Sequence, residues 1–437
     1  MTQPQLARRL GVFDATMIVM GGIVGAGIFM NPYVVARQVQ SPALILGAWA
    51  AGGLIALAGA FVYAELAALR PQVGGQYAYL RDAFHPMVAF LYGWGLLLVT
   101  QTGGMAAVAV TFANYFRELT GWGGSATLIA VAALAVLTVI NCLGVRSGSN
   151  VQSTLMVLKI LAVFALVTIG WFAVRGTEPP PPPSSGKPVP LAFAAAMVPV
   201  LFAFGGWQTA SFISGELKDP ERDLPRGLLI GVIGVVILYL AVNVVCLHAL
   251  GPAGLAATTT PASEVMRRAL GSTGARLIAA GIAISTIGFL SQGMLTAPRV
   301  YFAMARDGLF FERVGWLDPR TQAPSVAIAL QGAWAAVIAL SGRYEQILNY
   351  VVSMDAVFFG LTGAALLVLR RREGVAAPSG VRMPGHPWTT LAFVIAFWSL
   401  AASTILQFPR DTGIGVLIVC SGVPIYLWRE RRARARR

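Results

Sequence analysis

Apolar residues in this chain come in long stretches, and its charged residues gather mostly between them. The stretches run for roughly 18 to 27 residues, the length that crosses about 30 Å of hydrocarbon as a helix. They do not alternate as the segments of about 10 residues in a membrane barrel would. In lipid every backbone polar group must be paired internally, so unalternating runs of this length predict spanning helices. Twelve spans are predicted, at 12–36, 42–69, 86–116, 123–143, 152–174, 191–215, 226–250, 275–304, 324–341, 345–369, 388–408 and 412–429. The longest connections are 175–190, 251–274, 305–323 and 370–387, too short for an inserted soluble domain. Pro179–Pro183 reads as a short polyproline surface segment followed by Ser-Ser-Gly.

Composition sharpens this picture. Of 437 residues 57% are hydrophobic and 11% charged, against about 25% charged in a soluble globular chain. A soluble enzyme, a disordered chain and a collagen-like fibre are excluded. The formal charge of +14 would suggest nucleic acid in a soluble protein. Here it reports topology, because basic residues mark cytoplasmic loops. With the N-terminus inside, 23 of the 32 basic residues fall on the cytoplasmic half and nine outside. Both termini are then cytoplasmic, and the arginine-rich tail from Arg429 lies beside an anionic lipid face. Cys142, Cys246 and Cys420 sit in apolar runs and read as small packing residues rather than a disulfide framework. Met1–Val12 lacks the layout of a cleaved signal peptide.

Two spans carry glycine clusters. The first contains Gly21-Gly22-Ile23-Val24-Gly25-Ala26-Gly27-Ile28-Phe29, the sixth Phe202-Ala203-Phe204-Gly205-Gly206-Trp207. Close helix packing is one explanation, since small residues are common at membrane helix interfaces. The clusters, however, head the first five and the second five spans. Paired interruptions at matching places point to an inverted repeat with a binding site at the bilayer midplane. A broken helix offers free N–H groups and a positive dipole end to a carboxylate, and free carbonyls to an ammonium. A zwitterionic α-amino acid carries both groups. A β-branched side chain at Gly25 or Gly27 is expected to block the backbone conformation and the carboxylate's approach.

These residues carry a family resemblance. Gly21–Phe29, and the stretch Glu65–Leu80 after span 2, resemble signatures of the amino acid–polyamine–organocation transporter superfamily. Leu201–Gly227 is similar to the light chains of the L-type amino acid transporters and their bacterial relatives. The resemblance covers the whole chain. It implies an all-α integral membrane protein of twelve helices with a LeuT-like five-plus-five inverted repeat and broken helices 1 and 6. The first repeat with its N-terminal region then occupies 1–174, an extracellular Pro-rich loop 175–190, the second repeat 191–369, and helices 11 and 12 with a basic tail 370–437. Carried over by position, Ile23, Gly25, Ala26 and Gly27 would bind the carboxylate. Phe202, Ala203 and Gly205 would take the amino group, and Phe202 would close over substrate from outside. Ala26 stands where relatives often have serine. Trp207 is a gate aromatic or a packing one. The eukaryotic light chains bond to a heavy chain through a cysteine after span 3. Residues 117–124 have none, so no covalent heavy-chain subunit is expected.

Ionisable groups inside spans are functional candidates. His248, near the outer end of span 7, reads as a packed residue, and the Glu216–Arg226 charges read as a cytoplasmic gate network or a solvated turn. Lys159 in span 5 and Asp355 in span 10 lie deep. Asp355 faces either the substrate side chain or a structural partner. The resemblance implies that the Lys159 ammonium replaces the cation held between spans 1, 5 and 8 of sodium-coupled LeuT-like transporters. It would bond carbonyls of the span 1 break and a hydroxyl from Ser285, Thr286 or Ser291.

The function so implied is secondary transport of amino acids by alternating access, as sodium-independent exchange of neutral L-amino acids in the bacterial inner membrane. A proton-coupled symporter and a cationic amino acid or polyamine transporter remain open. A membrane-embedded enzyme would need a constellation that is missing: no HExxH, no paired intramembrane aspartates, no Ser–His pair. A signalling receptor would need a soluble output segment. No phosphate-binding loop appears, and no cofactor, metal or nucleic acid is expected, only amino acid and membrane lipid.

Overall fold

A computed structural model describes residues 6–174, 188–341, 344–373 and 381–435. The polyproline segment, Arg175, Lys187, Arg343 and the last two arginines lie outside the described residues. The first predicted span is two helices, α1 (Val12–Ile23) and α2 (Gly27–Val39). There follow α3 (Pro42–Leu69), a short α4 (Gln76–Ala83), α5 (Pro86–Gly95), a π-helical segment (Leu96–Thr100) and α6 (Gln101–Thr120). Next come α7 (Ala126–Cys142), α8 (Val145–Ala173), α9 (Val189–Phe204) and a 3₁₀ segment (Trp207–Glu216). The rest is α10 (Pro220–Ala257), α11 (Pro261–Thr296), α12 (Pro298–Arg306), α13 (Ser325–Ser341), α14 (Tyr344–Glu373), α15 (Trp388–Gln407), α16 (Pro409–Cys420) and α17 (Gly422–Ala435). Among the described residues there is no strand, only an isolated bridge between Leu10 and Leu217.

Nine of these helical stretches are long and apolar enough to cross a membrane. Val12–Ile23, Ala126–Cys142 and Ser325–Ser341 are apolar but shorter. Boundaries differ from the sequence reading where a helix outlasts its apolar run. The fifth predicted run starts at 152, yet α8 begins at Val145 and carries Arg146, Ser149 and Asn150 in its first turns. Conversely, Gly251 (φ 63°) interrupts α10 where the predicted run ended, and Pro298 follows the end of α11.

Lipid supplies no hydrophobic drive between helices, so close approach through small residues holds such bundles. Glycines do this here. A methyl on Gly227 or Gly231 of α10 would lie 2.5 Å from Ala15 Cβ or 2.7 Å from Val19 Cγ1, so α1 seats directly on α10. At one end of the bundle Glu65, buried at the end of α3, accepts from Arg370 of α14 (2.6 Å) and from the N–H of Met383 (2.7 Å). Of the cysteines only Cys246 is buried; Cys142 is half-buried and Cys420 exposed, so the packing role expected of all three fits Cys246.

Candidate functional site

Both glycine clusters interrupt their helices. α1 ends at Ile23, Val24 turns out of the helix (ψ 92°), and α2 restarts at Gly27. The restart leaves N–H groups of its first turn without helical acceptors, except that Phe29 N–H donates to Ala26 O (3.1 Å). α9 ends at Phe204, Gly205 is extended (ψ 159°), and Gly206 is left-handed (φ 112°). The two breaks touch. A Cβ on Gly206 would meet Gly22 O at 2.1 Å, and one on Gly27 would lie 3.7 Å from Ala203 Cβ. Gly22 is thereby brought against Gly206, and Gly27 against Ala203.

The steric expectation for Gly25 and Gly27 needs correction. A Cβ on Gly25 would find only Phe289 at 3.7 Å, and one on Gly27 only ordinary contacts. Neither residue has a left-handed φ. The glycines pressed against rigid backbone are Gly22, against Gly206 O, and Gly206, against Gly22 O, while Gly21 lies against the end of the Gln152 side chain. Gln152 is fully buried, and both its amide atoms lack partners.

Lys159 is also fully buried. Its ammonium donates to Val24 O at 2.6 Å and reaches Gly21 O at 3.4 Å. Ser285 Oγ donates to Gly25 O (3.1 Å) and lies 3.4 Å from Val24 O. The lysine and the serine thus share the carbonyls of the first break. Thr286 spends its hydroxyl on its own helix, on Ala283 O (2.8 Å) and Ile282 O (3.1 Å). Ser291 Oγ has no partner. Of the three hydroxyls expected beside the ammonium, Ser285 alone faces the break. The space for the lysine is made by Gly288 of α11, where a Cβ would lie 2.5 Å from Lys159 Cε.

Two residues at the site escaped the sequence reading. Tyr239 of α10, fully enclosed, donates to Ile23 O (2.9 Å) and approaches Ala203 O (3.3 Å). It bridges the two breaks on the carbonyls suited to an ammonium. Attention to ionisable groups alone passed over this uncharged polar group in an apolar run. Tyr239→Phe removes a hydroxyl but little volume. It should weaken half-saturation by amino acid about fivefold, because the lost hydrogen bond that ties the two breaks together joins neutral groups and is worth about 1 kcal/mol. Equal uptake curves for the two proteins would remove Tyr239 from the site. The second residue, Gly288, lacks any local signature.

Phe202 is 46% exposed, in contrast to its buried neighbours Ala203 and Phe204. Trp207 is buried and stacks on Phe359 at 5.1 Å, with Phe397 and Tyr63 around it. That environment is aromatic packing in this conformation. Asp355 is half-buried and interacts with the hydroxyl of Thr100, the last residue of the π-helical segment. Such segments often mark functional sites. His248 stacks on Trp171 at 4.4 Å, the packed role expected of it.

At the end carrying the N-terminus, the N-terminal segment is bridged to the chain after the second break. The N–H groups of Arg9 and Leu10 donate to Glu216 O, and Lys218 N–H donates to Leu10 O. Beneath this bridge Glu216 and Arg299 form a fully buried pair at 2.8 and 2.9 Å. The charged run after span 6 therefore divides. Glu216 is part of a buried lock, while Lys218, Asp219 and Glu221 are exposed.

Long apolar helices, two of them broken at touching glycines around a buried ammonium, define a multi-pass membrane protein built around a polar midpoint. Residues 10–424 match the family described as amino acid permease. The chain belongs to that family, whose work is carrying amino acids across membranes. It is 29% identical over 435 residues to the serine/threonine exchanger SteT of Bacillus subtilis (strain 168), covering 98% of each chain. It is 28% identical to the Asc-type amino acid transporter 1 of Mus musculus, covering 98% of this chain and 82% of that one. It is 29% identical to the large neutral amino acids transporter small subunit 2 of Homo sapiens, covering 96% and 80%.

Proposed function

We propose that this protein exchanges neutral L-amino acids across the bacterial inner membrane without sodium. Twelve spans are proposed, five in each inverted repeat (within 1–174 and 191–369) and two beyond, with both termini cytoplasmic. Ile23, Gly25, Ala26 and Gly27 hold the carboxylate, and Phe202, Ala203 and Gly205 the ammonium. Phe202 closes the outer side, and no covalent heavy chain is needed. The exposed ring of Phe202 and the hydrogen-bonded, ion-paired N-terminal end support an outward-open resting form.

The observation that carries the sodium-free reading is the 2.6 Å bond from Lys159 to Val24 O. A cation is already attached to the broken helix, where an ion would otherwise be required to hold its carbonyls. An unpaired ammonium in hydrocarbon costs at least a few kcal/mol, so its place on these carbonyls is also where it is least unfavourable. A transported ion leaves with the substrate; a tethered ammonium stays. Coupling then runs through a second amino acid moving the other way.

Proteoliposomes without sodium test this. Uptake of labelled serine or alanine should rise strongly with internal amino acid and should move no protons. Lys159→Ala should be inactive at every pH. Substrate-driven acidification of the lumen would establish proton symport instead. A strict sodium requirement would sink both versions.

A further inference from the structure

We propose that the groove between α1 and α8 binds the headgroup of an anionic phospholipid. The groove encloses about 750 Å³ at the end of the bundle that carries the N-terminus. Arg9, Arg146 and Lys218 bring three cationic heads to it. All three are exposed. The one acid in the lining, Asp14, is already satisfied. It accepts from Ser149 Oγ (2.9 Å) and from the N–H of Gly11 (3.0 Å), and it pairs with Arg146 at 3.4 Å. An excess of positive charge is left facing the groove. Neutral donors line it too, from Asn150, Ser153 and Thr154. Ser153 Oγ has no protein partner.

The order of residues along α8 separates a lipid from a soluble anion. Arg146, Asn150 and Ser153 come first, then Val157 and Leu158. A helix rises about 1.5 Å per residue, so the apolar pair lies about 6 Å deeper than Ser153. Val157 is 43% exposed and Leu158 40%. Cations, then hydroxyls, then bare apolar surface is the sequence of layers that a phospholipid presents from phosphate to acyl chain. A free phosphate would leave the apolar end unused.

The position gives such a lipid a mechanical consequence. Arg9 and Lys218 flank the bridge that joins the N-terminal segment to residues 216–218. A phosphate shared between them reinforces that bridge, and its further contact with Arg146 ties the N-terminal segment to α8. Transport is not needed to see the binding, so failure of the exchange reading leaves this inference standing, and the reverse holds too.

The test titrates the purified full-length protein in neutral detergent with fluorescent phosphatidylglycerol, phosphatidylcholine or inorganic phosphate. Phosphatidylglycerol should bind saturably and raise the melting temperature; the other two should do neither. A basic residue near an anionic surface is worth about 1 kcal/mol. Arg9→Gln with Lys218→Gln should therefore weaken phosphatidylglycerol binding about 30-fold, and either change alone about fivefold. The single variants decide the matter if the double variant does not purify. Unchanged affinity in the variants would overturn the proposal. So would equal binding of phosphatidylcholine, or displacement of phosphatidylglycerol by millimolar phosphate.

Discussion

Gly206→Ala should abolish transport, while Gly25→Ala should still bind amino acid. Gly206 sits at φ 112° with its Cα against the first break. An added methyl would lie 2.1 Å from Gly22 O, closer than real atoms approach, and that oxygen belongs to backbone that cannot swing aside. The left-handed φ adds a penalty of about 1 kcal/mol or more for any residue with a Cβ. Relief requires moving one break away from the other, which pulls apart the carbonyls and N–H groups of the two breaks. Transport should fall to background, and the melting temperature of the purified protein should drop. At Gly25 the methyl has space, with Phe289 at 3.7 Å as its nearest neighbour. Binding weakened by less than about tenfold is expected there, since the proposed contacts to the carboxylate are main-chain ones. Normal exchange by Gly206→Ala would show that the two breaks do not need their contact.

Glu216→Ala should be the most destabilising single change in the lock. Both members of the Glu216–Arg299 pair are completely buried. Removing one leaves a guanidinium uncompensated in a dry interior, at a cost of about 3–5 kcal/mol. Arg299 Nη1 already lacks a partner, so little reserve exists to absorb the loss. The double variant Glu216→Met with Arg299→Met should recover most of the stability, because replacing a buried pair by apolar groups is often neutral or better. Its transport should not recover in step if the pair also governs opening at that end. Thermal unfolding and exchange, measured on all three proteins, separate the two roles. Equal recovery of both would reduce the pair to a structural element.

How far the sequence could be read followed the range of each interaction. The breaks were visible because their cause is local: glycines where a helix should continue. Lys159 stood out because charge is rare in an apolar run. Its partner carbonyls could be proposed only through a family resemblance. The Tyr239 bridge joins residues 216 and 36 positions apart, and no local pattern encodes it. Glu216 reads as part of a gate network or a solvated turn, with no partner assigned; its pairing with Arg299 across 83 residues is tertiary. Gly25 and Gly27 were expected to resist side chains because they share a motif with glycines that do. The distinction is tertiary, since Gly22 and Gly206 press on each other while Gly25 faces open space.

The tethering of Lys159 has a thermodynamic consequence. In the proposed exchange Lys159 keeps its charge and returns to its starting point in every cycle, so it transfers no electrochemical work from outside the reaction. A one-for-one swap of neutral zwitterions is also electrically silent. The membrane potential therefore cannot pull it in either direction. Such a protein alters which amino acids a compartment holds and leaves their total number fixed. Any accumulation of one species must be matched by the downhill loss of another. The cell has to maintain that second pool by synthesis or by a separate pump, and its size limits the enrichment that this exchange can reach.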